Sequence, residues 1–131
     1  MTRAGPAPRV LVVDDDPAMG ETLTLYLTRH GFAAMSRLSA HAALELIAAR
    51  DFDVVVTDVN MDEMNGLALC AQLRVLRPGL PVIVTTGFGA AEARVAALAV
   101  GAYEFLSKPI DLALLRSTIE RAVQPPLASA V

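Results

Sequence analysis

The sequence predicts a doubly wound α/β domain in which a parallel sheet of five strands is covered by five helices. Three observations predict it. Short runs rich in Val, Ile and Leu alternate five times with stretches whose apolar residues recur at helical spacing. Some runs are apolar at every position, as in Val10-Leu11-Val12-Val13 and Val54-Val55-Val56. That suits strands buried on both faces, which is the condition of a parallel sheet between helical layers. The chain has 131 residues, 54% of them hydrophobic, so it has the length of one domain and enough apolar material for a core. With 5% aromatics and no Trp, that core must be built from Val, Leu, Ile, Ala and Met.

Each element has its own signals. The first strand, Val10 to Val13, is stopped by Asp14-Asp15-Asp16, and Pro17 suits the first turn of a helix. Met19, Leu23, Leu27 and His30 mark that helix, which Gly31 ends. Phe32 to Leu38 is a weaker strand with polar residues mixed in, and Ser39 is the N-cap of a helix running to about Arg50. Val54 to Thr57 is the third strand. Gly66 to Leu76 is helical, with Leu67, Cys70, Leu73 and Leu76 read as its inward side, and Pro78-Gly79 ends it. Pro81 to Thr85 is the fourth strand, Ala90 to Val100 an Ala-rich helix closed by Gly101, and Tyr103 to Leu106 the fifth strand. Asp111 caps the last helix, which runs to Val123 with Leu115, Ile119 and Ala122 inward. Residues 1–8 read as a disordered N-terminal segment, 9–123 as the folded domain, and 124–131, with Pro125-Pro126, as a tail or the start of a linker.

Composition excludes several classes. The net charge of −3 has the wrong sign for a nucleic-acid surface, so direct nucleic-acid binding by this domain is not expected. Cys70 is the sole cysteine, which rules out a disulfide within the chain, fits a reducing cytoplasm and suits a small buried hydrophobe. Met1 to Pro8 lacks the apolar stretch of a signal peptide, and no apolar run is long enough to span a bilayer. The expectation is a cytoplasmic domain without membrane contact. His30 and His41 stand apart on helices and read as structural or exposed. No Gly-rich dinucleotide fingerprint or Walker loop follows the first strand.

In open parallel sheets ligands sit beyond the carboxyl ends of the strands. Here those ends deliver Asp14, Asp15 and Asp16, then Asp58, then Thr86, and, one residue past Ser107, Lys108. Asp16 is better explained as a helix cap. Asp14, Asp15 and Asp58 crowd negative charge, which is costly without a cation among them. Only oxygen ligands are present, so the cation expected is Mg²⁺, with Mn²⁺ as a substitute. Lys108 and Thr86 are donors suited to an incoming phosphate oxygen. A metal ion, a carboxylate and phosphate donors together fit phosphoryl transfer onto an aspartate, and Asp58 is the candidate acceptor.

The segments Val10-Leu11-Val12-Val13-Asp14-Asp15-Asp16, Thr57-Asp58-Val59-Asn60-Met61-Asp62-Glu63-Met64-Asn65-Gly66, and Thr86-Gly87 with Gly101-Ala102, Phe105 and Lys108-Pro109 resemble response-regulator receiver domains of two-component systems. The resemblance spans about Arg9 to Val123. It implies a flavodoxin-like sheet of order 2-1-3-4-5. It also implies Asp58 as phosphoacceptor, Mg²⁺ held by Asp15, Asp58 and the Asn60 carbonyl with Asp14 acting mainly through water, and Lys108 on the phosphoryl group. A cis Lys108-Pro109 peptide and a switch made of Thr86 and Phe105 follow from the same resemblance. The implied partners are a histidine kinase or phosphotransfer protein, a downstream output domain or protein, and a phosphorylation-dependent homodimer. Thr86-Gly87-Phe88-Gly89 and Gly101 to Leu106 resemble receivers attached to DNA-binding transcription regulators. The chain is therefore read as either a single-domain regulator or the front of a longer one.

One position departs from the pattern. Asp62 stands where the family usually has Pro; it adds charge near the site and reads as a cap for the following helix. An aspartyl-phosphate phosphatase would need a second acid-base carboxylate two residues past the acceptor, where this chain has Asn60. A degenerate, binding-only receiver would not need the full set of Asp14, Asp15, Asp58, Thr86 and Lys108. Turnover of a separate substrate is not expected.

Overall fold

A computed structural model describes residues 6–61, 63–87 and 90–124. The elements follow in the order β1 (Arg9–Val13), α1 (Pro17–Arg29), β2 (Ala33–Arg37), α2 (Ala40–Ala49), β3 (Val54–Asp58), α3 (Gly66–Leu76), β4 (Val82–Thr86), α4 (Ala90–Ala99), β5 (Glu104–Ser107) and α5 (Leu112–Val123). All neighbouring strands pair in parallel, in the order β2-β1-β3-β4-β5. Every residue of β3 and β4 is buried, whereas the edge strand β2 is half-buried along most of its length. This explains its mixed composition, since an edge strand need not be apolar on both faces.

The pleat divides the apolar residues between two cores, because successive side chains of a strand point to opposite faces. Leu11, Val13, Val55, Val82, Val84 and Phe105 pack with residues of α2, α3 and α4, among them Ala43, Ile47, Leu69, Leu73 and Ala97. Val10, Val12, Val54, Val56, Ile83 and Leu106 pack on the other face with Leu23 and Leu27 of α1 and Leu115 and Ile119 of α5. Cys70 lies in the first core, fully buried, with its thiol directed to the Val100 carbonyl at 3.8 Å. Burial pushes that thiol's pKa up, against the opposing pull of Arg74.

The helix starts are capped by side chains. Asp16 accepts from the Ala18 amide, Ser39 from Ala42, Asn65 from Ala68 and Asp111 from Leu114. The cap of α3 is thus Asn65; Asp62, expected to cap it, lies outside the described residues. So do Phe88, Gly89 and the segments 1–5 and 125–131. Pro8 is buried, and its carbonyl accepts from Ala33, so the described backbone joins the sheet there. Gly31 and Gly101 follow α1 and α4 with φ of 93° and 91°, the left-handed region that a glycine enters without strain.

Three expectations are corrected. The inward face of α3 is Gly66, Leu69, Cys70 and Leu73, and Leu76 is exposed. A series with a strict three-residue step drifts by about 60° per step around a helix of 3.6 residues per turn, so Leu67 and Leu76 lie on opposite sides. Asp58 and Thr86 belong to their strands and do not merely follow them, because β3 pairs with β4 through Asp58 and Thr85, and β4 with β5 through Thr86 and Ser107. Thr118, absent from the expected inward face of α5, is buried, and its hydroxyl donates to the Leu114 carbonyl at 2.7 Å.

Candidate functional site

Two loops and a strand end meet at the carboxyl edge of the sheet. The β1–α1 loop brings Asp14 and Asp15, the end of β3 brings Asp58, and the β5–α5 loop brings Lys108. One carboxylate oxygen from each of Asp14, Asp15 and Asp58 lies within 4.8 Å of the others. Asp14 and Asp58 are buried, while Asp15 is exposed. The Lys108 ammonium stands 3.4 Å from Asp14 Oδ2 and 3.3 Å from Asp58 Oδ2. The Lys108–Pro109 peptide is cis. Asp14 is oriented by the Asp16 amide, which donates to its Oδ1 at 2.9 Å. The Asp16 side chain serves as the cap of α1 and takes no part in the cluster.

Burial raises the pKa of the Asp58 carboxyl; Asp14 adds to the rise, while Lys108 and the Asn60 amide oppose it. Burial by itself would lower the Lys108 ammonium, but Asp14 and Asp58 together outweigh it and hold Lys108 above its ordinary value. Three carboxylates face one ammonium, so two negative charges remain without an ion-paired partner among the described residues. An oxygen-only donor set with that charge deficit fits a hard divalent cation such as Mg²⁺.

Thr86 ends β4 beside this cluster. It is buried, and its hydroxyl oxygen accepts from the Asn60 side-chain amide at 3.1 Å. The Asn60 backbone N–H also reaches Asp58 Oδ1 at 3.3 Å. Phe105 lies away from the carboxylates, buried in the core facing α4. Its register partner is Val84, and Thr86 sits one pleat repeat beyond Val84. Thr86 and Phe105 therefore belong to one face of the sheet as diagonal neighbours. His41 is exposed and 3.6 Å from Glu63; His30 is exposed and hydrogen-bonded to the Tyr26 carbonyl. A cavity of about 570 Å³ between Arg9, Phe32, Met35 and Phe52 involves none of the clustered residues.

Two contributors escaped the sequence reading. A β-carbon on Gly66 would stand 2.1 Å from the Asp58 carbonyl oxygen, so the first turn of α3 is pressed against the Asp58 backbone. The Gly66 amide donates to the Val59 carbonyl at 3.0 Å in the same turn. The available signal was a glycine opening a helix, where it is a poor former and no turn demands it. The second is the Asn60 carboxamide; one sequence holds no signal for its contact with Thr86.

The fold and the site together define a doubly wound α/β domain with an acidic, lysine-bearing pocket at the carboxyl ends of its strands. The family model for the response regulator receiver domain matches residues 10–120, and the chain belongs to that family. It is 36% identical over 115 residues to the transcriptional regulatory protein GlrR of Escherichia coli, covering 88% of this chain and 26% of that protein. It is 40% identical over 117 residues to the response regulator protein FleR of Pseudomonas aeruginosa, covering 88% and 24%. The chain thus spans about a quarter of the length of these curated relatives. Among solved structures, the receiver domain of NtrX from Brucella abortus superposes with a TM-score of 0.84 at 31% identity, covering 89% of this chain and 99% of that one. The beryllofluoride-activated NtrC4 receiver domain dimer gives 0.83 at 34% identity, covering 88% and 95%. The chain is accordingly a signalling receiver of two-component systems. Among the described residues no helix is long and apolar enough to cross a membrane.

Proposed function

We propose that Asp58 accepts a phosphoryl group from a phosphohistidine of a histidine kinase or phosphotransfer protein, and that the acylphosphate switches a protein-binding surface. The observation that carries this is the convergence of Asp14, Asp15 and Asp58 with Lys108 bridging two of them. Asp58 attacks phosphorus, the phosphorus–nitrogen bond breaks, and its electron pair leaves on the imidazole nitrogen, which takes up a proton. Asp15, Asp58 and the Asn60 carbonyl would hold Mg²⁺, or Mn²⁺ in its place, with Asp14 acting mainly through water. The cation supplies charge neutralisation at the attacking and transferring oxygens. Lys108 then follows the phosphoryl oxygens from its place between Asp14 and Asp58.

The readout runs through Thr86 and Phe105, which share one face of the sheet. A phosphoryl group offers Thr86 an acceptor, and the displacement is passed to Phe105 and to the surface of α4, β5 and α5. Val95, Leu98, Tyr103 and Leu114 are exposed apolar residues of these elements and their connections. This surface suits a downstream partner or a second copy of the chain; the beryllofluoride-activated NtrC4 receiver domain is a dimer. GlrR is named as a transcriptional regulatory protein, so the output proposed is control of transcription, and the expected compartment is the cytoplasm.

The test is incubation with acetyl phosphate and Mg²⁺, read by intact mass. The wild type gains one phosphoryl group; Asp58→Asn gains none, and chelation of the metal abolishes the gain. Equal labelling of Asp58→Asn overturns the assignment.

A further inference from the structure

We propose that the Asn60 carboxamide is a positioning residue that holds Thr86 in the resting state, so that a phosphoryl group on Asp58 must compete with it for the threonine. This inference rests on the acceptor role proposed for Asp58.

Asn60 touches both ends of the proposed switch. Its backbone amide reaches Asp58 Oδ1 at 3.3 Å, and its side-chain amide donates to Thr86 Oγ1 at 3.1 Å. Thr86 is buried at the end of β4, whereas Asn60 is exposed on the β3–α3 loop. The loop's amide is one of the partners of this buried hydroxyl and biases its position. The β4 backbone gives Thr86 no comparable freedom. Its carbonyl accepts from the Lys108 amide at 2.8 Å, and β4 is paired with β3 through Thr85 and with β5 through Thr86. The side chain is therefore the part that can change partner, and the Asn60 contact is lost if the hydroxyl swings toward a phosphate on Asp58. The energy of that contact is subtracted from whatever the phosphate supplies.

Removing the amide should favour the active arrangement. A neutral hydrogen bond contributes roughly a fivefold factor to such an equilibrium. Asn60→Ala keeps the backbone amide and carbonyl and deletes only the carboxamide.

The experiment titrates beryllofluoride into the domain at saturating Mg²⁺ while following the Thr86 methyl and the amides around Asp58 by NMR. In Asn60→Ala the metal-loaded, beryllofluoride-free Thr86 resonance moves along the line joining the wild-type free and bound positions, and half-saturation falls roughly fivefold. In a Thr86→Ala background, read on the amides around Asp58, the Asn60→Ala effect disappears, because the two groups act through one contact. A merely structural role for Asn60 would persist there. If the wild type responds to beryllofluoride but Asn60→Ala requires the same or more of it, the holding role is overturned and the acceptor reading stands. If the wild type does not respond, both fail.

Discussion

Burial raises the Asp58 carboxyl above its ordinary value of 3.8, Asp14 pushes it further, and Lys108 opposes them. A carboxyl whose folded-state pKa is raised binds its proton more tightly when folded. Its contribution to stability is present below 3.8 and is lost as the pH rises through the raised value. Without metal, Asp58 therefore works against the fold at every pH above the raised value. In EDTA, Asp58→Asn should gain in melting temperature relative to wild type as the pH rises, and the gap should close as the pH falls through the raised pKa. A gap that shrinks as the pH rises would contradict this. Gly66 carries the second expectation at this scale. With 2.1 Å between its would-be β-carbon and the Asp58 carbonyl, Gly66→Ala must displace either α3 or the end of β3. Denaturant melts should show a loss of roughly 1–3 kcal/mol, the range for overpacking, and the variant should take phosphate from acetyl phosphate more slowly. The types and order of Asp14, Asp15, Asp58, Thr86 and Lys108 were legible in the sequence because parallel strands deliver their end residues to one edge. The crowding at Gly66 and the Asn60 contact were not, because both depend on how a loop folds back over the site.

At the scale of elements, the caps and breakers were the most legible features. Ser39, Asp111, Gly31 and Gly101 bound their helices as expected, since their roles need only local backbone geometry. The five strands and five helices appear in the expected order. What the pattern misjudged was a direction: an α3 with Leu at positions 67, 69, 73 and 76 offers two plausible stripes. Only packing against the sheet selects the one containing Leu69 and Leu73. Truncation separates them. Leu69→Ala should cost roughly 2–5 kcal/mol in urea unfolding, as a fully buried leucine does. Leu76→Ala should stay within about 0.5 kcal/mol, as an exposed position does. Similar costs at both sites would mean that α3 packs otherwise.

For the whole molecule, the residues proposed to hold the ion come from the β1–α1 loop, the end of β3 and the loop that follows it, so an ion bound there ties the neighbouring inner strands β1 and β3 together. Binding to the folded state alone stabilises all of it by mass action. Mg²⁺ at ten times its dissociation constant should add about 1.4 kcal/mol, and Asp15→Ala should weaken the dependence of the melting temperature on Mg²⁺ concentration. An unchanged dependence in that variant would remove Asp15 from the metal set. Cys70 has a consequence for how the domain's motions can be followed. Its thiol is sealed between α3 and the carbonyl of Val100, and burial keeps it protonated and unreactive. An alkylating reagent can reach it only when α3 parts from the corner between α4 and β5. As the sole cysteine of the chain, it makes the rate of alkylation a clock for that single opening, and a receiver that tightens on activation would run the clock more slowly.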